Sequence, residues 1–278
     1  MAAVDVGMRH GQRLADAIAR DTGITNERLL SAFASVPRAR FLGPPPWCLA
    51  KAPLDGRSTP AYEETSDVAD VYDNVSVALD RDRDLYNGAP GTVAIWLDAL
   101  NLQPGERVYH IGCASGYYTA IAAELVGPRG SVIGVDVDEG LVDRANEALA
   151  DLPNVSLLAT DGTTFAPREF DAAFANTGLG AIPAVWLDHG RFAVPLGVPL
   201  PGTTLSKAVV FLIDGELAKM IGVAIIYAAR GTQRRLMSFD RGNPHDVQSI
   251  RRDPHERDAA CWLHDETYCL STRPGGNR

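Results

Sequence analysis

The chain has 278 residues, 46% of them hydrophobic, and a formal net charge of −9. That length allows a full core with extensions, and the lack of any run of eighteen apolar residues argues against a membrane span. The acidic balance argues against nucleic acid as a general partner, because Lys and Arg contacts to phosphate dominate such binding; only Arg230, Arg234 and Arg235 approach a basic cluster.

The first forty residues read as helical. Leu14, Ala17 and Ile18 recur at helical spacing, and Leu29, Leu30, Phe33 and Val36 repeat the pattern after a predicted cap at Thr25, with Pro37 ending the helix. From Phe41 to about Asp84 the chain is rich in Pro, Asp and small residues and reads as irregular cover. A third helix is predicted over Gly91 to Leu100. Strand and helix then alternate: strands at Val108 to Ile111, Ser131 to Val135, Val155 to Ala159, Phe170 to Ala175 and Arg191 to Val194, with helices at Tyr117 to Val126 and Ala181 to Leu187. Lys207 to Ile213 and Leu217 to Tyr227 flank Asp214-Gly215, a hairpin signal. The expected class is therefore α/β: a seven-stranded, mainly parallel sheet with helices on both faces and an antiparallel C-terminal hairpin. The expected division is residues 1–84 as N-terminal helical and irregular cover, 85–230 as the cofactor-binding domain and 231–278 as an extension.

Function is written most densely between Arg107 and Asp136. A buried strand leads into Gly112-Cys113-Ala114-Ser115-Gly116, a helix follows, and the next strand closes on Asp136, 24 positions after Gly112. That is about the distance at which a nucleotide-type βαβ unit places a carboxylate on ribose hydroxyls. The G-x-x-x-G loop lacks the dinucleotide pattern G-x-G-x-x-G and suits a ligand without a pyrophosphate. S-adenosylmethionine is the expected cofactor, on a Rossmann-like methyltransferase layout. Asp136 also reads as a helix N-cap, and Asp161-Gly162 as a plain turn.

From about Asn26 to Tyr227 the chain resembles the protein-L-isoaspartate O-methyltransferase family. The resemblance rests on ordered segments: Val36-Pro37-Arg38 leading to Phe41, Val71-Tyr72-Asp73-Asn74, Ile111 to Tyr117, Val132 to Asp136, Asp161-Gly162, Phe170-Asp171, Ile182-Pro183 and Val194-Pro195-Leu196-Gly197. It implies a cofactor site formed by Gly112, Ser115, Gly116 and Tyr117 with flanking His110, Ala114 and Val137. Asp136 would hold the ribose, and Asp161 and Gly162 would lie near the adenine. It also implies an acceptor loop at Tyr86, Asn87 and Gly88, with Arg81 or Arg83 as charge partners. Two departures stand out. Gly88 occupies the place of the family serine that contacts the reacting carboxylate, and His110 stands where an acid is common. His110 also reads as a hydrogen-bonded side chain at a strand end.

The expected activity is carboxyl O-methylation of aspartyl or isoaspartyl groups in a peptide or protein, with no general base required because a carboxylate is already ionised at neutral pH. The missing serine and the extra tail point to a specialised relative that modifies a biosynthetic peptide. A small-molecule natural-product methyltransferase and a degenerate, non-catalytic cofactor-binding protein are the alternatives. Cys48, Cys113, Cys261 and Cys269 are scattered without a disulfide framework, and no apolar signal core opens the chain, so a reducing cytoplasm is the expected setting. Cys261, His264 and Cys269 are too few for a zinc site, so no metal is expected. Trp262, Leu263, Tyr268 and Leu270 are expected to pack as an added strand or flap.

Overall fold

The computed structural model describes residues 2–51, 61–83, 85–200, 205–227, 242–252 and 259–275. The Arg230, Arg234, Arg235 cluster lies outside them. Two helices open the chain, α1 (Ala2–Thr22) and α2 (Glu27–Ser35). The α2 cap is Asn26, whose side chain accepts from the Leu29 amide at 3.2 Å, one residue beyond the predicted Thr25. Leu14, Ala17, Ile18, Leu29 and Phe33 are all buried, as the helical spacing predicts.

The segment read as irregular cover contains three strands, β1 (Trp47–Lys51), β2 (Ala61–Thr65) and β3 (Ser76–Asp80). With β4 (Leu85–Asn87) they form a sheet in the order β2-β1-β3-β4. The boundary expected at residue 84 falls inside the β3–β4 hairpin, where Val77 faces Asn87. Short strands among Pro and Asp residues leave too little alternation to be read from sequence.

The second sheet begins after α3 (Pro90–Leu100), which starts on Pro at its first turn, where the missing N–H is harmless. Its strands are β5 (Arg107–Ile111), β6 (Ser131–Asp136), β7 (Val155–Ala159), β8 (Ala172–Ala175), β9 (Arg191–Pro199), β10 (Leu205–Asp214) and β11 (Leu217–Tyr227), joined by α4 (Tyr117–Val126) and α5 (Glu139–Ala148). Strands β5 to β9 pair in parallel, and β10 runs antiparallel between β9 and β11. The seven predicted strands are thus present, and so is the hairpin. Gly215 takes φ 58° at the first turn position, as a type II′ turn requires. Where the alternation predicts a helix near Ala181 to Leu187, Pro183 precedes a single 3-10 turn, Ala184–Trp186.

The sheet is wider than predicted. Three tail strands, β12 (Ser249–Arg252), β13 (Cys261–His264) and β14 (Tyr268–Ser271), extend it to ten in the order β13-β14-β12-β11-β10-β9-β8-β5-β6-β7. The tail packs as added strands, with Trp262, Tyr268 and Leu270 buried against Phe211, Trp186 and Phe192 on one face of the sheet. The other face buries Val108, Phe174 and Val210 beneath α1 to α4. Cys261 and Cys269 form a disulfide across β13 and β14, which corrects the expectation of scattered, unpaired thiols; Cys48 and Cys113 are free and buried. The two tail cysteines are therefore bonded to each other rather than available as metal ligands. No helix among the described residues is long and apolar enough to cross a membrane.

Candidate active site

The loop after β5 builds a cleft because its backbone curls back on itself. Gly112 (φ 72°), Ala114 (φ 47°) and Gly116 (φ 88°) all take left-handed backbone, and the Gly112 and Cys113 amides both donate to the Val135 carbonyl, at 2.8 and 3.0 Å. Glycine adopts this region freely, whereas Ala114 bears strain of roughly 1–2 kcal/mol. The cleft opens over the C-terminal ends of β8, β5, β6 and β7. Gly112, Ala114, Asp136, Val137, Asp161 and Gly162 line it, and Leu79, Leu85 and Tyr86 of the β3–β4 hairpin close its other wall.

Asp136 sits where the strand pattern predicts. Its Oδ2 accepts from the Ala114 amide at 2.9 Å and its Oδ1 from the Asp138 amide at 3.0 Å. Burial pushes its pKa above the ordinary carboxylate value, and these amide hydrogen bonds oppose the rise. The N-cap role belongs to Asp138, which accepts from the Leu141 amide at 3.0 Å. A carboxylate offers about four lone-pair sites, more than these amides occupy.

Asp161 closes an Asx turn, accepting from the Thr163 amide at 2.8 Å and the Thr163 hydroxyl at 2.7 Å. Gly162 is confined: a Cβ there would lie 2.6 Å from Ile111 Cγ2 and 2.9 Å from Val135 Cγ2. Asp161 and Gly162 together therefore shape the far end of the cleft, and the turn is more than a chain reversal.

Four residues expected at the cofactor are not among those that line the cleft. His110 is fully buried, stacked on Phe174 with centroids 4.0 Å apart and bonded through Nδ1 to the Thr119 hydroxyl at 2.8 Å. Strand alternation turns it away from the cleft and under α4. Desolvation depresses its pKa to about 3. Tyr117 packs against Phe33 and Phe41, and Ser115 is buried outside the cleft lining. Gly116 caps α4 and approaches α5, where a Cβ would meet Leu149 Cδ1 at 2.8 Å.

The expected acceptor trio divides. Tyr86 lines the cleft and stacks on Tyr62. The Asn87 side chain accepts from Arg38 at 3.3 Å, and the Gly88 carbonyl accepts from Arg38 at 3.4 Å and from the Tyr118 hydroxyl at 2.5 Å. Of the charge partners, Arg83 pairs with Asp80 at 2.6 Å and with Asp138, tying the hairpin to the start of α5. Arg81 lies 3.6 Å from Glu64 and over the Tyr62 ring.

Arg38, in the Val36-Pro37-Arg38 segment, has a role that its local sequence does not announce. Its guanidinium is fully buried and donates to the carbonyls of Val71, Asp73 and Val75 at 2.8, 3.0 and 2.7 Å, besides Asn87 and Gly88. It thereby fastens the Tyr72-Asp73-Asn74 segment to the strand that carries Tyr86. Asn74 in turn accepts from the Gly91 amide at 2.7 Å, capping α3.

The cleft fits the cofactor that the loop implies. It presents a carboxylate at the second strand, a glycine cradle at Gly162, and close-approach backbone at Gly112. Comparison with known proteins agrees. A family model described as Protein-L-isoaspartate(D-aspartate) O-methyltransferase matches residues 57–201. The chain is 31% identical to Protein-L-isoaspartate O-methyltransferase of Anaeromyxobacter dehalogenans, covering 63% of this chain and 76% of that protein. It is 30% identical to the protein of that name from Aeropyrum pernix, covering 67% and 66%. Other relatives are matched over about half their length, such as 53% of Protein-L-isoaspartate O-methyltransferase 2 of Archaeoglobus fulgidus. Among solved structures, one titled protein-L-isoaspartate O-methyltransferase superposes with TM-score 0.62 at 22% identity, covering 81% of this chain and 67% of that one. A Plasmodium falciparum structure, described as a protein-L-isoaspartate O-methyltransferase in complex with S-adenosyl-L-homocysteine, superposes with TM-score 0.60 at 16% identity, covering 79% and 98%. These two likenesses concern the fold.

Proposed function

The chain belongs to the protein-L-isoaspartate O-methyltransferase family, whose methyl donor is S-adenosylmethionine, and on that premise we propose that it methylates the side-chain carboxylate of aspartyl or isoaspartyl residues in a peptide or protein. The observation that carries the reading is Asp136, a carboxylate in the cleft wall held by the Ala114 and Asp138 amides. Asp136 would bind ribose hydroxyls, and Asp161 with Gly162 the adenine end. The bound cofactor supplies an electrophilic methyl carbon on a positively charged sulfur.

The protein's own part is to align and exclude water. Alignment of two reactants is worth roughly 7–11 kcal/mol of a barrier, and Leu79, Leu85 and Tyr86 give the cleft an apolar wall. A carboxylate acceptor reaches the site ionised and needs no proton removed. Peptide substrates and a cytoplasmic setting are parts of the same proposal.

A second reading, methylation of a small carboxylic acid, is favoured by Gly88, which lacks the family serine and leaves open space around its Cβ position. Mass spectrometry of aspartyl peptide, isoaspartyl peptide and small acids incubated with S-adenosylmethionine separates the two. Gain of one methyl group on a peptide carboxyl supports the proposal. Gain confined to small acids overturns it.

A further inference from the structure

Buried side-chain polar atoms without a partner among the described residues are few, and of these only Asn176 Oδ1 belongs to a cleft-lining residue. A buried group left unpaired costs about 1–3 kcal/mol, and native folds keep such groups where something else satisfies them. Asn176 is held in place by its backbone: its amide donates to the Ile111 carbonyl at 2.7 Å, and a Cβ on Gly112 would lie 3.4 Å from its carbonyl carbon.

Its position across the sheet defines its role. The strand ends under the cleft run β8, β5, β6, β7. The adenine and ribose groups are assigned to residues at the ends of β7 and β6, and the glycine loop follows β5. Asn176 follows β8, on the opposite side of that loop, in the cleft that Tyr86 also lines. Resting on the methyl-transfer reading above, we propose that Asn176 is the acceptor-binding residue: its NH2 donates to the acceptor carboxylate while its Oδ1 accepts a peptide N–H. A side-chain amide carries two donors and an acceptor, which matches a carboxylate borne on a peptide better than a free small acid. In the reaction the carboxylate oxygen forms the O–CH3 bond, the C–S bond breaks with its electron pair going to sulfur, and no proton moves. A neutral amide therefore suffices.

The test uses the full chain with Asn176→Ala and Asn176→Asp. Because Oδ1 has no partner among the described residues, Asn176→Ala keeps or raises the thermal midpoint. It binds S-adenosylhomocysteine within about twofold of wild type, yet loses about tenfold or more in kcat/KM for aspartyl or isoaspartyl hexapeptides. Asn176→Asp, which sets a like charge against the acceptor, loses about a hundredfold or more. Equal turnover by Asn176→Ala, a fall of several degrees in its midpoint, or a tenfold loss of S-adenosylhomocysteine affinity each overturns the assignment and leaves the methyltransferase reading standing. An Asn176→Asp variant faster than wild type also overturns it, since that marks an acceptor needing a base. A wild type that binds S-adenosylhomocysteine but methylates neither hexapeptide removes the peptide reading, and this inference with it.

Discussion

The hydroxyl of Tyr268, in the last tail strand, accepts a hydrogen bond from the backbone amide of Ile182 at 3.1 Å. Ile182 closes the loop that begins at Asn176 and Thr177 in the cleft wall, so the tail braces a wall of the site from behind. Tyr268→Phe leaves that buried amide unpaired, at a cost of about 1–3 kcal/mol. The expected result is a thermal midpoint lower by several degrees, with S-adenosylhomocysteine affinity little changed in calorimetry. An unchanged midpoint would show the contact to be idle.

Gly88 offers the plainest test of the family departure. Nothing lies within 4 Å of a Cβ built there, and its carbonyl, not its side, is used by Arg38 and Tyr118. Gly88→Ser is therefore expected to fold with stability within about 0.5 kcal/mol of wild type. Restoring the hydroxyl is expected to raise kcat/KM for an isoaspartyl hexapeptide relative to the aspartyl one. A ratio that does not move would place acceptor choice elsewhere in the cleft.

His110 makes stability depend on acidity. Burial lowers its pKa from 6.5 to about 3, so between those values the unfolded chain binds a proton that the folded chain refuses. Its contribution is intact above pH 6.5 and is lost as pH falls toward 3, at up to about 1.4 kcal/mol per pH unit. Replacing His110 with Phe removes that slope, which melting curves from pH 4 to 7 would show as a flatter pH dependence than wild type. Parallel curves for the two proteins would contradict it.

Gly162→Ala drives a methyl group to 2.6 Å from Ile111 Cγ2. Overpacking of this kind costs about 1–3 kcal/mol, and here it also fills the cradle at the adenine end. Both the unfolding midpoint and the affinity for S-adenosylhomocysteine are expected to fall; retention of full affinity would remove Gly162 from the cofactor site.

The parts of the site legible in the sequence are those set by local rules. Asp136 is found by counting along one strand–helix–strand unit, and Gly112 and Gly162 because turns and tight contacts demand glycine. His110 and Tyr117 adjoin the loop in sequence, and that adjacency alone suggests the cofactor. Strand alternation sends the first under α4, and the helix start sends the second toward Phe33 and Phe41. Arg38 was illegible as a fastening because its partners lie 33 to 50 residues away. The same holds for the tail: no local pattern announces that Ser249 pairs with Leu217 and lengthens the sheet, or that Cys261 meets Cys269.

The most direct measurement is calorimetric titration of S-adenosylhomocysteine into the wild type and into Asp136→Asn, which keeps an acceptor for the Ala114 amide while removing the charge. Saturable one-to-one binding by the wild type, weakened about tenfold in the variant as a charge-assisted bond becomes a neutral one, is the predicted result. No binding to the wild type, or equal affinity in both proteins, would contradict the account.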